Sequence, residues 1–146
     1  MRRKDLFLRW ATGVHRAVFT VSRGRLLGSL AGMPVVKLVT TGRRSGRPRS
    51  TMLTVPVLDP DRVVLVASFG GDDRHPVWYR NLRDDPRVRI TSAGVTRAMV
   101  ARTADDDERA ELWPRIIARY RGYAAYQRRT GRTIPVVILE PPPNAA

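Results

Sequence analysis

Residues 40–50, TTGRRSGRPRS, place four arginines, two glycines and one proline in a short stretch without any acidic residue. Glycines let backbone N–H groups converge on an anion, and arginine side chains add forked donors that match phosphate and carboxylate oxygens. The stretch therefore predicts an anion-binding turn. A solvated hairpin tip without a ligand is one alternative, and Gly46-Arg47-Pro48 also resembles the core of arms that enter the DNA minor groove. The residue types alone leave these three interpretations open.

Three tyrosines near the C-terminus, Tyr120, Tyr123 and Tyr126, are spaced three residues apart. On a single helix this spacing places the rings on one stripe that spans about 120° of the surface. An aromatic stripe of this kind either packs into the core or forms the wall of a ligand pocket. The spacing is compatible with both roles.

Metal and thiol chemistry are not expected. The chain has no cysteine, which excludes disulfides and thiolate nucleophiles. Its two histidines, His15 and His75, stand apart from clustered acids and make a poor ligand set, so no metal site is predicted. His75 precedes Pro76 at the end of a loop, where a structural role is expected.

The 146 residues, 42% of them hydrophobic, are expected to form a single domain. The net charge of +14 is distributed unevenly. Residues 1–58 hold 12 Lys or Arg and one acidic residue, whereas residues 59–146 hold 15 and 12. Attraction for anions is therefore concentrated in the first part of the chain. The sequence has no run of about 18 apolar residues, so no membrane span is predicted and a cytoplasmic location is expected.

Hydrophobic periodicity predicts the elements that position these residues. An amphipathic helix with a basic side is predicted over 5–21, within an N-terminal segment 1–33. Strands are predicted over 35–41, 50–58, 62–68, 88–92, 95–103 and 133–140. Helices are expected over 77–85 and from Asp105 to about Tyr120, where acids at the start complement the helix dipole. About six hairpin-connected strands with few helices predict a mainly β, α+β fold, a small barrel with helices packed outside.

Two further motifs follow the basic turn in order. Residues 67–71, ASFGG, end a predicted strand, and residues 75–82, HPVWYRNL, bend through a His-Pro pair into a helix. Together with Thr40–Arg49 and the block 108–140, these motifs resemble the deazaflavin-dependent nitroreductase family, the F-420-dependent split-barrel reductases of actinobacteria. The resemblance covers residues 34–141. It implies a split β-barrel of the flavin-reductase and pyridoxamine-phosphate-oxidase-like type.

The resemblance implies a binding site for coenzyme F-420, an 8-hydroxy-5-deazaflavin with a phosphodiester and an oligoglutamate tail. The basic turn would hold this anionic tail. The implied cofactor-binding residues are Arg43, Arg44, Ser45, Arg49, Ser50, Thr51, Met52, Leu53, Thr54, Val66, Ala67, Ser68, Phe69, Val77, Trp78, Tyr79, Arg80, Asn81 and Tyr123. Ser68 and Tyr123 would orient the acceptor and stabilise developing charge, without an obligatory acid or base. Tyr120, Tyr123, Tyr126 and Thr54 would contact the substrate.

The implied activity is hydride transfer from reduced F-420 to a quinone, an activated enone or a nitroaromatic. An oxidoreductase of the same barrel type that binds flavin mononucleotide, and a non-enzymatic module that binds anions or nucleic acid, are alternatives. Phe69, Met52 and Thr54 depart from the family pattern, which leaves the acceptor undefined. The N-terminal helix is a lid, a contact with an anionic membrane at the inner face of the cell membrane, or packing. No specific nucleic acid is expected as a partner, and the oligomeric state is open.

Overall fold

The computed structural model describes residues 29–30 and 32–144. The predicted helix over 5–21, with Trp10 and His15, lies outside these ranges. The strands are β1 (Ser29–Leu30), β2 (Met33–Thr41), β3 (Pro48–Thr54), β4 (Val57–Asp59), β5 (Arg62–Val66), β6 (Arg87–Ser92), β7 (Val95–Thr103) and β8 (Val136–Glu140). The helices are α1 (Val77–Asp84), α2 (Asp106–Arg119) and α3 (Gly122–Arg128), and a 3-10 turn spans Phe69–Gly71.

All strand pairs are antiparallel, in the order β1-β2-β6-β7-β8-β5-β4, and β3 pairs with β2. The hairpin predicted at Ala93-Gly94 is present, with both residues at positive φ (50° and 80°) as a tight primed turn requires. Connections between neighbouring strands are short except where helices intervene. The expected class, mainly antiparallel β with helices, is confirmed.

Strand β5 separates two apolar layers, which explains its unbroken run of hydrophobic residues. Val63 and Leu65 face an inner core with Leu38, Ile90 and Leu139, to which α1 contributes Trp78, Tyr79 and Leu82. Val64 and Val66 face an outer core formed with Leu112 and Ile116 of α2, Tyr123 of α3, and residues of β8. The prediction that this strand is buried on both faces is confirmed, because α2 and α3 cover the side of the sheet opposite the inner core.

The strand predicted over 50–58 is two strands, and that prediction is corrected. Strand β3 ends at Thr54, and β4 begins at Val57. Pro56 has no N–H to donate to a ladder and has a fixed φ, so a regular strand cannot continue through it. Val55 instead donates its N–H to the carbonyl of Pro34, 2.8 Å away, and β4 pairs with β5 rather than with β2. The last strand is also shorter than predicted, since it begins at Val136.

The helix predicted from Asp105 to about Tyr120 is confirmed, and the three tyrosines do not lie on one helix. Helix α2 ends at Arg119, and Tyr120 has extended backbone angles (φ −155°, ψ 109°). Gly122 then begins α3, and a Cβ added to Gly122 would lie 2.4 Å from the Tyr120 ring. The chain therefore turns at Tyr120 so that its ring lies directly against a residue without a side chain. Sequence spacing alone does not reveal this break.

Helix α2 begins with a reciprocal capping box. The Asp105 side chain accepts from the Glu108 N–H at 2.8 Å, and the Glu108 side chain accepts from the Asp105 N–H at 3.1 Å. Arg102 of β7 donates to Glu108 at 2.7 Å and to Glu140 of β8 at 2.6 Å. The pKa of Glu108 is lowered to about 2, mainly by the hydrogen bond from the Arg102 guanidinium and also by the capping N–H of Asp105.

This shift predicts a pH dependence of stability. Because the folded-state pKa of Glu108 lies below its ordinary 4.5, its contribution is present above about pH 4.5 and is lost as the pH falls towards 2. The Glu108→Gln variant should therefore be less stable than wild type at pH 7, with the difference shrinking between pH 4.5 and 2. Urea unfolding at several pH values measures it. Glu111→Gln, an exposed position on the same helix, is the control and should leave the profile unchanged.

Candidate functional site

The basic turn is braced by its own backbone and by Ser45. Gly42 donates its N–H to the carbonyl of Arg47 and accepts from the N–H of Gly46, both at 2.8 Å. The Ser45 hydroxyl accepts from the N–H of Arg47 at 3.1 Å and from the Arg49 guanidinium at 3.5 Å. Gly46 has a φ of 69°, a left-handed conformation that favours glycine. The turn is a fixed loop whose arginine side chains project from an ordered backbone.

The four arginines of the turn, Arg43, Arg44, Arg47 and Arg49, are exposed. Within residues 29–30 and 32–144, none of them forms a salt bridge with an acidic side chain. Their positive charge is therefore not neutralised by a carboxylate in this part of the chain. Such a cluster suits a ligand with several negative charges.

Asn81 connects the basic turn to α1. Its side chain is 2% exposed, accepts the N–H of Arg43 at 3.2 Å, and donates to the Thr40 hydroxyl at 3.1 Å. A buried amide with both ends bonded holds its neighbours in place, since losing either bond would leave a buried polar group unsatisfied. The turn and the predicted His75–Leu82 motif thus meet at one residue.

Other predicted residues of α1 point into the protein. Trp78 and Tyr79 belong to the inner core, and the Tyr79 hydroxyl is bonded to the Thr103 hydroxyl at 2.9 Å. Of the predicted α1 residues, Val77 and Arg80 have exposed side chains. A ligand at this helix would therefore contact Val77, Arg80 and backbone N–H groups rather than the two aromatic rings.

Strand β3 runs from the basic turn to the tyrosines and presents two faces. Thr54, Met52 and Ser50 share the face of Val35, Lys37 and Val39 of β2, because directly paired residues point the same way. Leu53 lies on the opposite face and packs against the inner core. From Arg49 to Thr54 the strand rises about 17 Å at roughly 3.4 Å per residue. The structure thus divides the six predicted β3 residues between two sides of the sheet.

The segment after β5 has an unusual backbone. Ser68 is in the right-handed helical region, Phe69 has a φ of 45°, and Gly70 and Gly71 have φ of 63° and 83°. Right-handed followed by left-handed angles direct successive N–H groups to one side, which forms a concave anion-binding nest. The Ser68 hydroxyl does not cap the turn that it precedes. Among residues 29–30 and 32–144 this hydroxyl forms no hydrogen bond, so it can contact a ligand on this side of the segment.

Arg132 holds this segment through hydrogen bonds to its backbone carbonyls. The sequence did not predict this role for Arg132. The guanidinium donates to the carbonyls of Ala67, Ser68 and Asp72 at 3.2, 3.0 and 2.9 Å. Its remaining nitrogen lies 3.2 Å from Nδ1 of His75. Burial, together with neighbouring arginines, lowers the pKa of His75, so the ring is neutral at pH 7 and Nδ1 accepts this bond. His75 is thus part of the loop support, as its place before Pro76 predicts.

The three tyrosine rings do form one cluster, although two elements carry them. Tyr120, Tyr123 and Tyr126 pack edge to face with centroid distances of 5.4 to 6.3 Å. Tyr123 is 5% exposed, and its hydroxyl is 2.8 Å from the Thr54 hydroxyl. Burial raises the pKa of Tyr123, and burial with the hydrogen bond that Tyr126 donates to Tyr120 raises the pKa of Tyr126 to about 12. Tyr123 and Tyr126 are therefore protonated at neutral pH, and Tyr120 and Tyr126 are the more accessible.

Gly71 is where the Ser68–Gly71 segment meets the tyrosine cluster. A Cβ added there would lie 2.8 Å from the carbonyl oxygen of Tyr126 and 3.0 Å from Cβ of Arg129. Arg129 also donates to the carbonyl of Gly70 at 3.3 Å. The predicted site residues therefore form a continuous path, from the basic turn through Asn81 and α1 to this segment, α3 and Thr54, and back along β3.

The close approach at Gly71 predicts a large effect of a single methyl group. Gly71→Ala should cost about 1–2 kcal/mol for the left-handed backbone and roughly 1–3 kcal/mol more for overpacking against α3. Gly94→Ala is a matched control, because Gly94 has a similar φ of 80° but nothing within 4 Å of an added Cβ. Denaturant unfolding of both variants isolates the packing contribution. Equal losses of stability would contradict the close approach.

In the described ranges, no group of three or more His, Asp or Glu side chains is arranged to hold a metal ion. Over the same residues, none of the helices is long and apolar enough to cross a membrane. His15 and the predicted basic helix lie outside these ranges, so the expected membrane contact stays a prediction.

Comparison with known proteins gives one consistent family. Residues 11–141 match the model of the F420H(2)-dependent quinone reductase family. An F420H(2)-dependent quinone reductase of Mycobacterium tuberculosis is 37% identical over 130 residues, covering 86% of this chain and 87% of that protein. A solved F420-H2 dependent reductase (FDR-A) is 37% identical with a TM-score of 0.67, covering 73% of this chain and 94% of the other.

Two more solved structures bear on the fold. One, described as a domain-swapped dimer, is 32% identical with a TM-score of 0.68 and covers 88% of this chain and all of the other. A protein of the pyridoxinephosphate oxidase family from Clostridium acetobutylicum is only 11% identical but has a TM-score of 0.51, covering 84% of this chain and 83% of the other. The predicted split-barrel fold is therefore confirmed.

Proposed function

The chain belongs to the F420H(2)-dependent quinone reductase family, and we propose that it reduces a quinone-type acceptor with reduced coenzyme F-420. It is an oxidoreductase of the F-420-dependent type. The observation that carries the proposal is the continuous path of predicted site residues. One end of the path is a fixed turn with four exposed arginines, and the other is the cluster of Tyr120, Tyr123 and Tyr126.

The residues present fit a cofactor with a long anionic tail. The four arginines of the turn would bind phosphate and glutamate carboxylates, and Asn81 fixes their backbone relative to α1. The rise of about 17 Å along β3 separates this turn from Thr54, so one elongated molecule spans both ends. On the β3 face of Thr54, side-chain contacts would come from Ser50 and Met52, while Thr51 and Leu53 would contribute through the main chain.

The ring end of the site is formed by backbone groups and hydroxyls. Backbone N–H groups at Ser68–Gly70 form the concave surface on which ring carbonyl oxygens would bind. Val66 and Ala67 are buried behind them and contribute through the main chain. When bound, reduced F-420 supplies the hydride, and the protein orients its ring against the acceptor.

Ser68 is the residue we assign to charge stabilisation at the acceptor oxygen. Its hydroxyl is not used to cap the adjacent turn, so it is available to donate a hydrogen bond as negative charge develops. Tyr123 is better placed to hold Thr54, because its buried hydroxyl is already bonded at 2.8 Å. Tyr120 and Tyr126 would then form the wall against which the acceptor packs. Reduction of a quinone to the quinol takes one hydride and one proton, and water supplies the proton.

Parallel titrations with F-420 and flavin mononucleotide test the cofactor. Binding is followed by tryptophan fluorescence, since Trp78 lies in α1 beside the proposed site. We expect F-420 to bind more tightly and menadione to be reduced when reduced F-420 is supplied. Flavin mononucleotide binding as tightly as F-420 would overturn the cofactor assignment. A protein that binds F-420 but reduces only enones or nitroaromatics would retain the cofactor and overturn the quinone-type acceptor.

A further inference from the structure

All three nitrogens of the Arg132 guanidinium are hydrogen-bonded to one short stretch of chain, residues 67–75. Nε donates to the Asp72 carbonyl, Nη2 to the carbonyls of Ala67 and Ser68, and Nη1 to Nδ1 of His75. These partners lie 57 to 65 residues away along the sequence. Arginine is suited to this because its planar fork presents several donors in fixed directions.

The stretch that Arg132 holds is strained. Phe69 has a φ of 45°, a left-handed angle that is unfavourable for a residue with a Cβ. Strained backbone of this kind persists only where the surrounding structure enforces it. The Ala67 and Ser68 carbonyls immediately before Phe69 and the Asp72 carbonyl after it are all bonded to Arg132. The guanidinium therefore fixes both ends of the strained segment.

The hydrogen bonds from Arg132 to these carbonyls also affect where the N–H groups of the segment point. With the carbonyls of Ala67 and Ser68 turned towards Arg132, the right-handed then left-handed angles at Ser68 and Phe69 direct the N–H groups into the concave surface. The hydrogen-bond acceptors of Arg132 are carbonyls and a neutral imidazole, and its positive charge lies beneath this surface, where the nearby carboxylates of Asp72 and Asp73 offset part of it. An anionic or electron-rich ring edge would gain from both features.

We propose that Arg132 is the positioning residue of the ring end of the cofactor site. It holds Ser68–Gly71 in the one conformation that binds the deazaflavin ring and places Ser68 at the acceptor. This inference rests on the proposed function. It assigns Arg132 no contact with the cofactor tail, and it separates the ring end, set by Arg132, from the tail end, set by the basic turn.

The test compares Arg132→Gln and Arg132→Lys with Arg128→Gln. Arg128 is exposed at the end of α3, and its replacement removes the same charge without touching the strained segment. Two ligands are titrated: F-420, and the tail-less deazaflavin riboside that lacks phosphate and glutamate. Circular dichroism reports folding, and turnover of menadione with reduced F-420 reports kcat.

We expect Arg132→Gln to raise the Kd by at least tenfold for both ligands and to lower kcat, while Arg128→Gln changes each by less than about threefold. Arg132→Lys should fall between wild type and Arg132→Gln, because lysine keeps the charge but cannot bond three carbonyls in a fork. If Arg132→Gln does not fold, the intermediate Kd of Arg132→Lys still supports the assignment.

Three results would overturn it. Arg132→Gln could bind both ligands as Arg128→Gln does, or show a raised Kd for the tailed cofactor alone. Alternatively, Arg132→Gln could be unfolded while Arg132→Lys binds and turns over as wild type does, which would make the role purely structural. Wild-type protein that does not bind F-420 would instead overturn the proposed function, so the two failures are distinguishable.

Discussion

Replacing both Arg43 and Arg44 by alanine should weaken F-420 binding by one to three orders of magnitude and flatten its dependence on salt. Each charge-assisted hydrogen bond lost costs about 1.5–3 kcal/mol, and Arg47 and Arg49 on the same turn offset part of the loss. The two guanidiniums are exposed and form no salt bridge within the described ranges, so their removal leaves no unpaired carboxylate there. Stability should therefore change little.

The control for this variant is a second loss of two exposed arginines. Arg97→Ala with Arg128→Ala removes the same charge from β7 and from the end of α3. If affinity depends on overall charge, both double variants should weaken binding equally. If the basic turn binds the anionic tail of F-420, only the Arg43 and Arg44 double variant should weaken binding. Its loss of affinity should become smaller as the oligoglutamate chain is shortened. Unchanged affinity in the Arg43 and Arg44 variant would make the turn a solvated hairpin tip.

The parts of the fold that follow from short-range patterns were predictable. Alternating and continuous apolar runs located β2, β5 and the β6–β7 hairpin, because those patterns report which faces are buried. Asp105, Asp106 and Asp107 located the start of α2 because acids complement the helix dipole, whereas the capping box with Glu108 was not predicted. Pro56 was visible in the sequence, but whether it ended a strand or bordered one depended on the pairing of β4 with β5.

The features that escaped prediction depend on contacts distant in sequence. The close approach of the Tyr120 ring to Gly122 is one such contact, which the spacing of three tyrosines does not encode. Arg132 is one of 27 Lys or Arg residues, and the block 108–140 that contains it gives this residue no role. Its role is defined by carbonyls that lie about 60 residues earlier. Likewise, successive side chains of β3 point to opposite faces of the sheet, so residues that form one block in the sequence lie on two sides.

The tyrosine cluster carries the second large expected effect, which falls on the acceptor. Tyr126→Ala and Tyr120→Ala should change the KM or kcat for the acceptor, and the preference among quinone, enone and nitroaromatic, by about tenfold or more. F-420 affinity should stay within about threefold of wild type, because these rings contact α2 and α3 rather than the basic turn. Steady-state kinetics with three acceptors, alongside F-420 titration, measures both quantities.

Substitution of Tyr123 should have a different effect from substitution of Tyr120 or Tyr126, because Tyr123 is part of the core. Tyr123→Ala should destabilise the fold by roughly 3–5 kcal/mol, the usual cost of deleting a buried ring. Tyr123→Phe keeps the ring and removes only the hydroxyl, which is bonded to Thr54 and to the Met33 sulfur, so it should cost about 0.5–1.5 kcal/mol and disturb F-420 affinity and acceptor turnover together. A normal Kd and kcat in this variant would remove Tyr123 from the site.

Trp113→Ala distinguishes a pocket wall from mere packing. Trp113 packs against the same outer core and lies under the Arg109 guanidinium at 4.3 Å, but it belongs to no predicted site. If loss of packing in the outer core is enough to alter acceptor kinetics, Trp113→Ala should reproduce the Tyr126→Ala profile at an equal loss of melting temperature. If Tyr126 contacts the acceptor, only Tyr126→Ala should change the order of preference among the three acceptors, because a general loosening of the core does not discriminate between their shapes.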